Sequence, residues 1–160
     1  MIIMFNDYNN YYSYGYSNDY RQPIRLIKDY GPLAFATNMN DITKINDKYR
    51  NTFWTGDHLQ ITLMSIPVGE DIGIEVHPNV DQFLYIEQGT GLVQMGSDRQ
   101  KVTVQEIATN NFGVMVPNNT WHNITNIGNV PLKLFSIYAP PQHNKGTVDN
   151  TKEDSKKQIS

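Results

Sequence analysis

The strongest constraint on the fold is the punctuation of the chain between residues 58 and 140. Short runs of β-branched, aromatic and aliphatic residues alternate there with Gly, Pro, Asn and Asp. The runs predict strands at 58–69, 73–77, 82–89, 90–96, 101–108, 112–117, 122–128 and 131–140. Strands this short, broken this often by turn formers, cannot bury their faces singly and must close on one another as an all-β sandwich or small antiparallel β-barrel. No helix–strand alternation of the kind that builds a parallel sheet interrupts them. Residues 38–51 (NMNDITKINDKYRN) predict one or two helical turns, capped by Asn40 or Asp41, with no strong apolar face.

The flanks differ in character. Six of the ten tyrosines fall between residues 6 and 20, spaced by Asn, Ser, Asp and Gly. Such a segment has few aliphatic groups to bury and reads as a disordered or adhesive tail. The expected organisation is therefore a Tyr/Asn-rich tail over 1–22, one domain over 23–142, and a polar tail over 143–160 that lies on the surface or forms a short helix. A chain of 160 residues has room for one core of this kind. Thirteen basic against sixteen acidic residues, with no basic cluster, argue against a nucleic-acid partner. No apolar run approaches a membrane span, and the first residues lack the basic start of a signal peptide. The expectation is a cytoplasmic bacterial protein with no membrane partner. Cysteine is absent, so any metal must be held by His, carboxylate or amide oxygen.

One segment carries chemistry. In EVHPNVDQFLYIEQG (75–89), Glu75 and His77 are two apart and project together from an extended chain, while Ile74 and Val76 face the other way. If residues 73–77 and 82–89 pair as a hairpin, Gln82 reaches the space in front of Glu75 and His77. A buried carboxylate there needs compensation, and a divalent cation supplies it. Downstream, His122 opens a strand after the turn that follows Pro117. Asp81 is a fallback ligand if the turn is one residue shorter. Glu87 is expected outward, and His58 and His143 exposed.

These residues resemble the two motifs of the cupin family. The first family motif runs Gly, five residues, His, one, His, three or four, Glu, six, Gly. The chain has Gly69, Glu75, His77, Gln82 and Gly89 in that register, with Glu75 in place of the first His and Gln82 in place of Glu. The second runs through Pro117, His122 and Asn126, with Asn111 and Asn119 where the family has Gly. The resemblance implies a jelly-roll β-barrel holding a divalent metal (Zn, Mn, Fe or Ni) on Glu75, His77, Gln82 and His122. The two exchanges leave the formal charge of the ligand set unchanged. The neighbourhood of the first motif and the ending LKLFSIYAPPQH are similar to cupins described as mannose-6-phosphate isomerase-like. That implies an enzyme acting on a small molecule, a sugar or related metabolite, with Glu75 or a metal-bound hydroxide as base. Against a sugar phosphate, only Arg99, Lys101 and Lys133 supply positive charge in the barrel region; Arg99 sits in or beside a turn, and Lys133, alternating with Leu132 and Leu134, is expected to face away from the interior. The alternatives are a non-haem metal dioxygenase-type cupin, or a non-catalytic spore-coat or surface component that uses its Tyr-rich tail. Cupins commonly pair through an edge strand, so a homodimer is expected.

Overall fold

A computed structural model describes residues 27–157. The tail expected over 1–22 lies outside the described residues. Elements run in the order α1 (Met39–Ile45), β1 (Arg50–Thr55), β2 (Gln60–Ile66), β3 (Asp81–Gln88), β4 (Gly91–Gly96), β5 (Val104–Ala108), β6 (Phe112–Val116), β7 (Trp121–Asn126), β8 (Leu132–Ala139), β9 (Val148–Asp149) and α2 (Lys152–Lys156). The strands form a six-stranded sheet, ordered β6-β3-β8-β2-β1-β9, and a three-stranded sheet, ordered β5-β4-β7. Every pairing is antiparallel. The fold is a jelly roll in which the two sheets face each other without a continuous ladder closing them into a ring. Among the described residues, no helix is long and apolar enough to cross a membrane.

The inner face of the large sheet is a set of rows fixed by register. The row Gln60–Tyr138–Gln82–Val116 lies toward one end. Next comes Thr52–Thr62–Ser136–Leu84–Val114, then Arg50–Met64–Leu134–Ile86–Phe112, and finally Ile66–Leu132. The deep rows pack with Val93, Ala108 and Ile124 of the small sheet into the main core. The outer rows carry hydroxyls and amides. Polarity therefore rises along the interior toward one end, and that end receives the site.

Three expectations change. The helix expected over 38–51 stops at Ile45, and its cap is Asn38, which accepts from the backbone of Asn40 and Asp41. Asn46 ends it: its side-chain amide donates to the Lys48 carbonyl and its oxygen accepts from the Lys48 amide, folding the chain out of helical geometry. Residues from Arg50 are then the strand β1. The second change concerns 73–77, which is not a regular strand. It touches β7 by one isolated bridge, Glu75 opposite His122, with another just before it, Asp71 opposite Thr125, and it does not form a hairpin with β3. Ile74 is consequently exposed rather than buried behind Glu75. Third, residues 143–149 pack against the large sheet. Gln60 accepts from the His143 amide at 2.9 Å and donates to its carbonyl at 2.9 Å, so His143 is half-buried, not exposed.

Candidate metal site

The two motifs are latched together by backbone. The Glu75 amide donates to the His122 carbonyl at 3.0 Å, and the His122 amide donates to the Glu75 carbonyl at 2.9 Å. The turn before His122 needs a left-handed residue at Asn119 (φ 59°), and in that conformation the Asn119 amide donates to the His77 carbonyl at 3.0 Å. Asn111 (φ 66°) is left-handed too, so both Asn residues that replace the motif glycines keep glycine's geometry. Asp81 accepts from the backbone and side chain of Asn118 in the same turn. It is thus a clamp on the turn and lies outside the ligand group. Asn126 is enclosed at 1% exposure and bonds Ile66, Val130 and Gly128, fixing the far end of β7.

This scaffold brings Glu75, His77 and His122 together, with one ligand atom from each within 4.8 Å of the others. Glu75 Oε1 lies 3.2 Å from His77 Nε2 and 3.4 Å from His122 Nε2. His122 is 2% exposed and His77 8%, yet neither Nε2 has a hydrogen-bond partner. The carboxylate oxygen is close enough to each but not aligned for an N–H bond. Donor atoms held by one cation at about 2.0–2.2 Å stand about 3.0–3.5 Å apart, which the two Glu75–imidazole separations match. His122 Nδ1 sits 3.0 Å from the Thr120 carbonyl, an acceptor for its proton, so Nε2 is the atom that would ligate a cation. The donor set of two imidazoles and a carboxylate therefore fits a divalent metal. Burial pushes the Glu75 carboxyl up, but its contacts with His122 and His77 outweigh this and hold it well below the usual carboxylate range.

Gln82 enters from β3, 3% exposed. Its Nε2 donates to Ser136 Oγ at 2.8 Å, and its Oε1 is buried without a partner. Tyr138, opposite Gln82 in register, packs edge-on against His77 with ring centroids 5.7 Å apart. His143 packs edge-on against the same tyrosine at 5.1 Å. Burial, then the nearby Arg50 guanidinium, pull the His143 imidazole down to about 3, so it is neutral. Glu87 faces away from the interior as expected, but α1 covers it and Asn40 donates to it. Sequence reasoning missed Arg50, Gln60 and Tyr138. The signal for Arg50 was present in Thr52, Phe53, Trp54 and Thr55, a β-branched and aromatic run that makes 50–55 a strand.

Two facing antiparallel sheets, an apolar floor and a His/carboxylate group at the polar end define a cupin-fold protein. Residues 62–138 match the family model for the cupin domain. The chain belongs to the cupin superfamily. It is 55% identical over 130 residues to the uncharacterized protein YrkC of Bacillus subtilis, covering 81% of this chain and 70% of that one. It is 35% identical over 117 residues to the uncharacterized protein L612 of Acanthamoeba polyphaga mimivirus, covering 72% and 71%. The crystal structure of BH2720 from Bacillus halodurans superposes with a TM-score of 0.81 at 53% identity, covering 82% of this chain and 99% of that one.

Proposed function

We propose that the protein is a divalent-metal-dependent enzyme that acts on a sugar or related small metabolite at the polar end of its jelly roll. The observation that carries this reading is the pair of buried, unpartnered imidazole nitrogens converging on Glu75. Buried polar atoms without partners cost free energy, and a cation between the two nitrogens and the carboxylate oxygen would satisfy all three. A cation held by Glu75, His77 and His122 would supply Lewis acidity to a carbonyl or hydroxyl oxygen of the substrate.

The chain's own groups then divide the work. Gln82 Oε1 is free to accept from a substrate hydroxyl or to act as a fourth ligand. The Tyr138 hydroxyl, pushed up by burial with the Glu75 charge adding, stays protonated as a donor. The Glu75 side chain is a quarter exposed, so a substrate can reach it, and its carboxylate oxygen not engaged by the cation is the candidate base.

A proton-transfer reaction of the isomerase type predicts exchange of a carbon-bound hydrogen next to a carbonyl. Metal-loaded protein incubated with aldoses and ketoses in deuterium oxide should place deuterium at that carbon, read by NMR. The two-histidine, one-carboxylate composition also suits a non-haem iron oxygenase. Oxygen uptake by the iron-loaded protein, without deuterium exchange, would favour that second reading. Neither signal with any loaded metal would remove the enzymatic proposal.

A further inference from the structure

Arg50 is the one Lys or Arg that is buried among the described residues, at 6% exposure. It stands on the inner face of β1, in the row of Met64, Leu134 and Ile86, at the side of the large sheet that abuts the segment carrying Glu75. Tyr49 marks that junction. Its hydroxyl donates to the Asp71 carbonyl at 2.9 Å, and the Arg50 guanidinium lies 5.8 Å from its ring centre.

The guanidinium is incompletely satisfied. Nη1 reaches Asp149 Oδ2 at a long 3.4 Å, and Nε is buried with no partner. An arginine normally uses the neighbouring donors of its fork together on one carboxylate or phosphate. Asp149 takes one corner and leaves Nε for something else. Burial raises the Asp149 carboxyl despite the guanidinium. His143, whose Nε2 is also buried without a partner, lies near enough to feel the guanidinium charge.

We propose that Arg50 binds the carboxylate of the substrate, and that the substrate is a small monoanionic hydroxy acid, oxo acid or sugar acid whose neighbouring oxygen meets the Glu75–His77–His122 group. The inference rests on the metal reading and names its substrate class. A single fork donor without a partner matches one carboxylate group, and no second Lys or Arg is buried among the described residues to meet a dianion. The cation missing from the sequence reading thus comes from a strand read there as helix.

The test uses the full chain loaded with zinc, with metal content measured first and without any acid present. Calorimetry then compares glycolate, lactate, ethylene glycol and inorganic phosphate. Wild type should bind glycolate or lactate more tightly than ethylene glycol or phosphate. Arg50→Lys keeps the charge facing Asp149 and should retain zinc, but weaken acid binding by about ten- to a hundredfold, the worth of a charge-assisted fork. The Arg50→Gln, Asp149→Asn double variant removes both charges together and should show the same loss. Acid binding unchanged in both variants makes Arg50 a structural partner of Asp149 and overturns the inference. Tighter binding of phosphate than of either acid also overturns it. A wild type that takes up no zinc overturns the metal reading along with it, whereas zinc bound without Arg50-dependent acid binding overturns this inference alone.

Discussion

Asn126 is a demanding test of how the second motif works. Its Nδ2 donates to the Ile66 carbonyl at 2.9 Å and to the Val130 carbonyl at 2.9 Å, and its Oδ1 accepts from the Gly128 amide at 3.0 Å. Its own backbone bonds Glu70 and Gly69, at the start of the segment that carries Glu75 and His77. Asn126→Ala strands two carbonyls and one amide, and at about 1–3 kcal/mol per buried group, shared through one side chain, the loss is about 3 kcal/mol. Asn126→Asp is nearly isosteric yet worse at neutral pH. It keeps the acceptor for Gly128 but turns a carboxylate oxygen toward two carbonyl oxygens, so its cost is about 4–5 kcal/mol. A carboxyl so placed has its folded pKa raised above the ordinary value of about 3.9. The penalty is therefore fully present above the folded pKa and fades as pH falls toward the unfolded value, because a protonated Asp again donates to one carbonyl. Each pH unit that separates the folded from the unfolded pKa is worth about 1.4 kcal/mol. Urea midpoints at fixed protein concentration should rank wild type above Ala above Asp at pH 7. Near pH 4.5, about half a unit above the unfolded value, the Asp variant should draw level with Ala or pass it. An Asp variant as stable as Ala at pH 7, or a gap that ignores pH, would refute the reasoning.

Other outcomes follow from the same geometry. Asn119→Ala puts a Cβ-bearing residue without a polar side chain at φ 59°. It should lose about 1 kcal/mol in thermal unfolding, while Asn119→Gly stays near wild type. Saturating metal at a hundred times its dissociation constant should add about 2.7 kcal/mol to unfolding stability, and a chelator should remove it. The His77→Ala, His122→Ala double variant should show no such response in the same melts. Gln82→Glu places a second acid at a buried position beside the group. Without metal it should cost about 2 kcal/mol or more, with metal most of that should return, and urea midpoints with and without chelator will show the difference.

Much of the fold was legible because turn chemistry and apolar runs agree from residue 58 onward. Seven of the eight expected strands correspond to β2–β8. What was hidden had a common physical cause: burial of polar groups. Arg50, Asn51 and Thr52 are buried in a strand, but their polarity disguises it as the end of a helix. The segment 73–77 looks like a strand by composition, yet its place is fixed by bridges to β7 at Glu75 and, just before it, at Asp71, a long-range choice that no local pattern encodes. The meeting of Glu75, His77 and His122 was legible through motif spacing. The environment that gives it direction, Arg50, Tyr138 and His143, was not, because those residues come from elements far apart in the chain.

The central claim is that the group of Glu75, His77 and His122 holds a divalent cation. Elemental analysis of protein purified without a histidine tag tests it most directly, beside the His77→Ala, His122→Ala double variant. The account predicts near-stoichiometric zinc, manganese, iron or nickel in the wild type and none in the variant. A wild type that is empty as purified and takes up no added metal would contradict it.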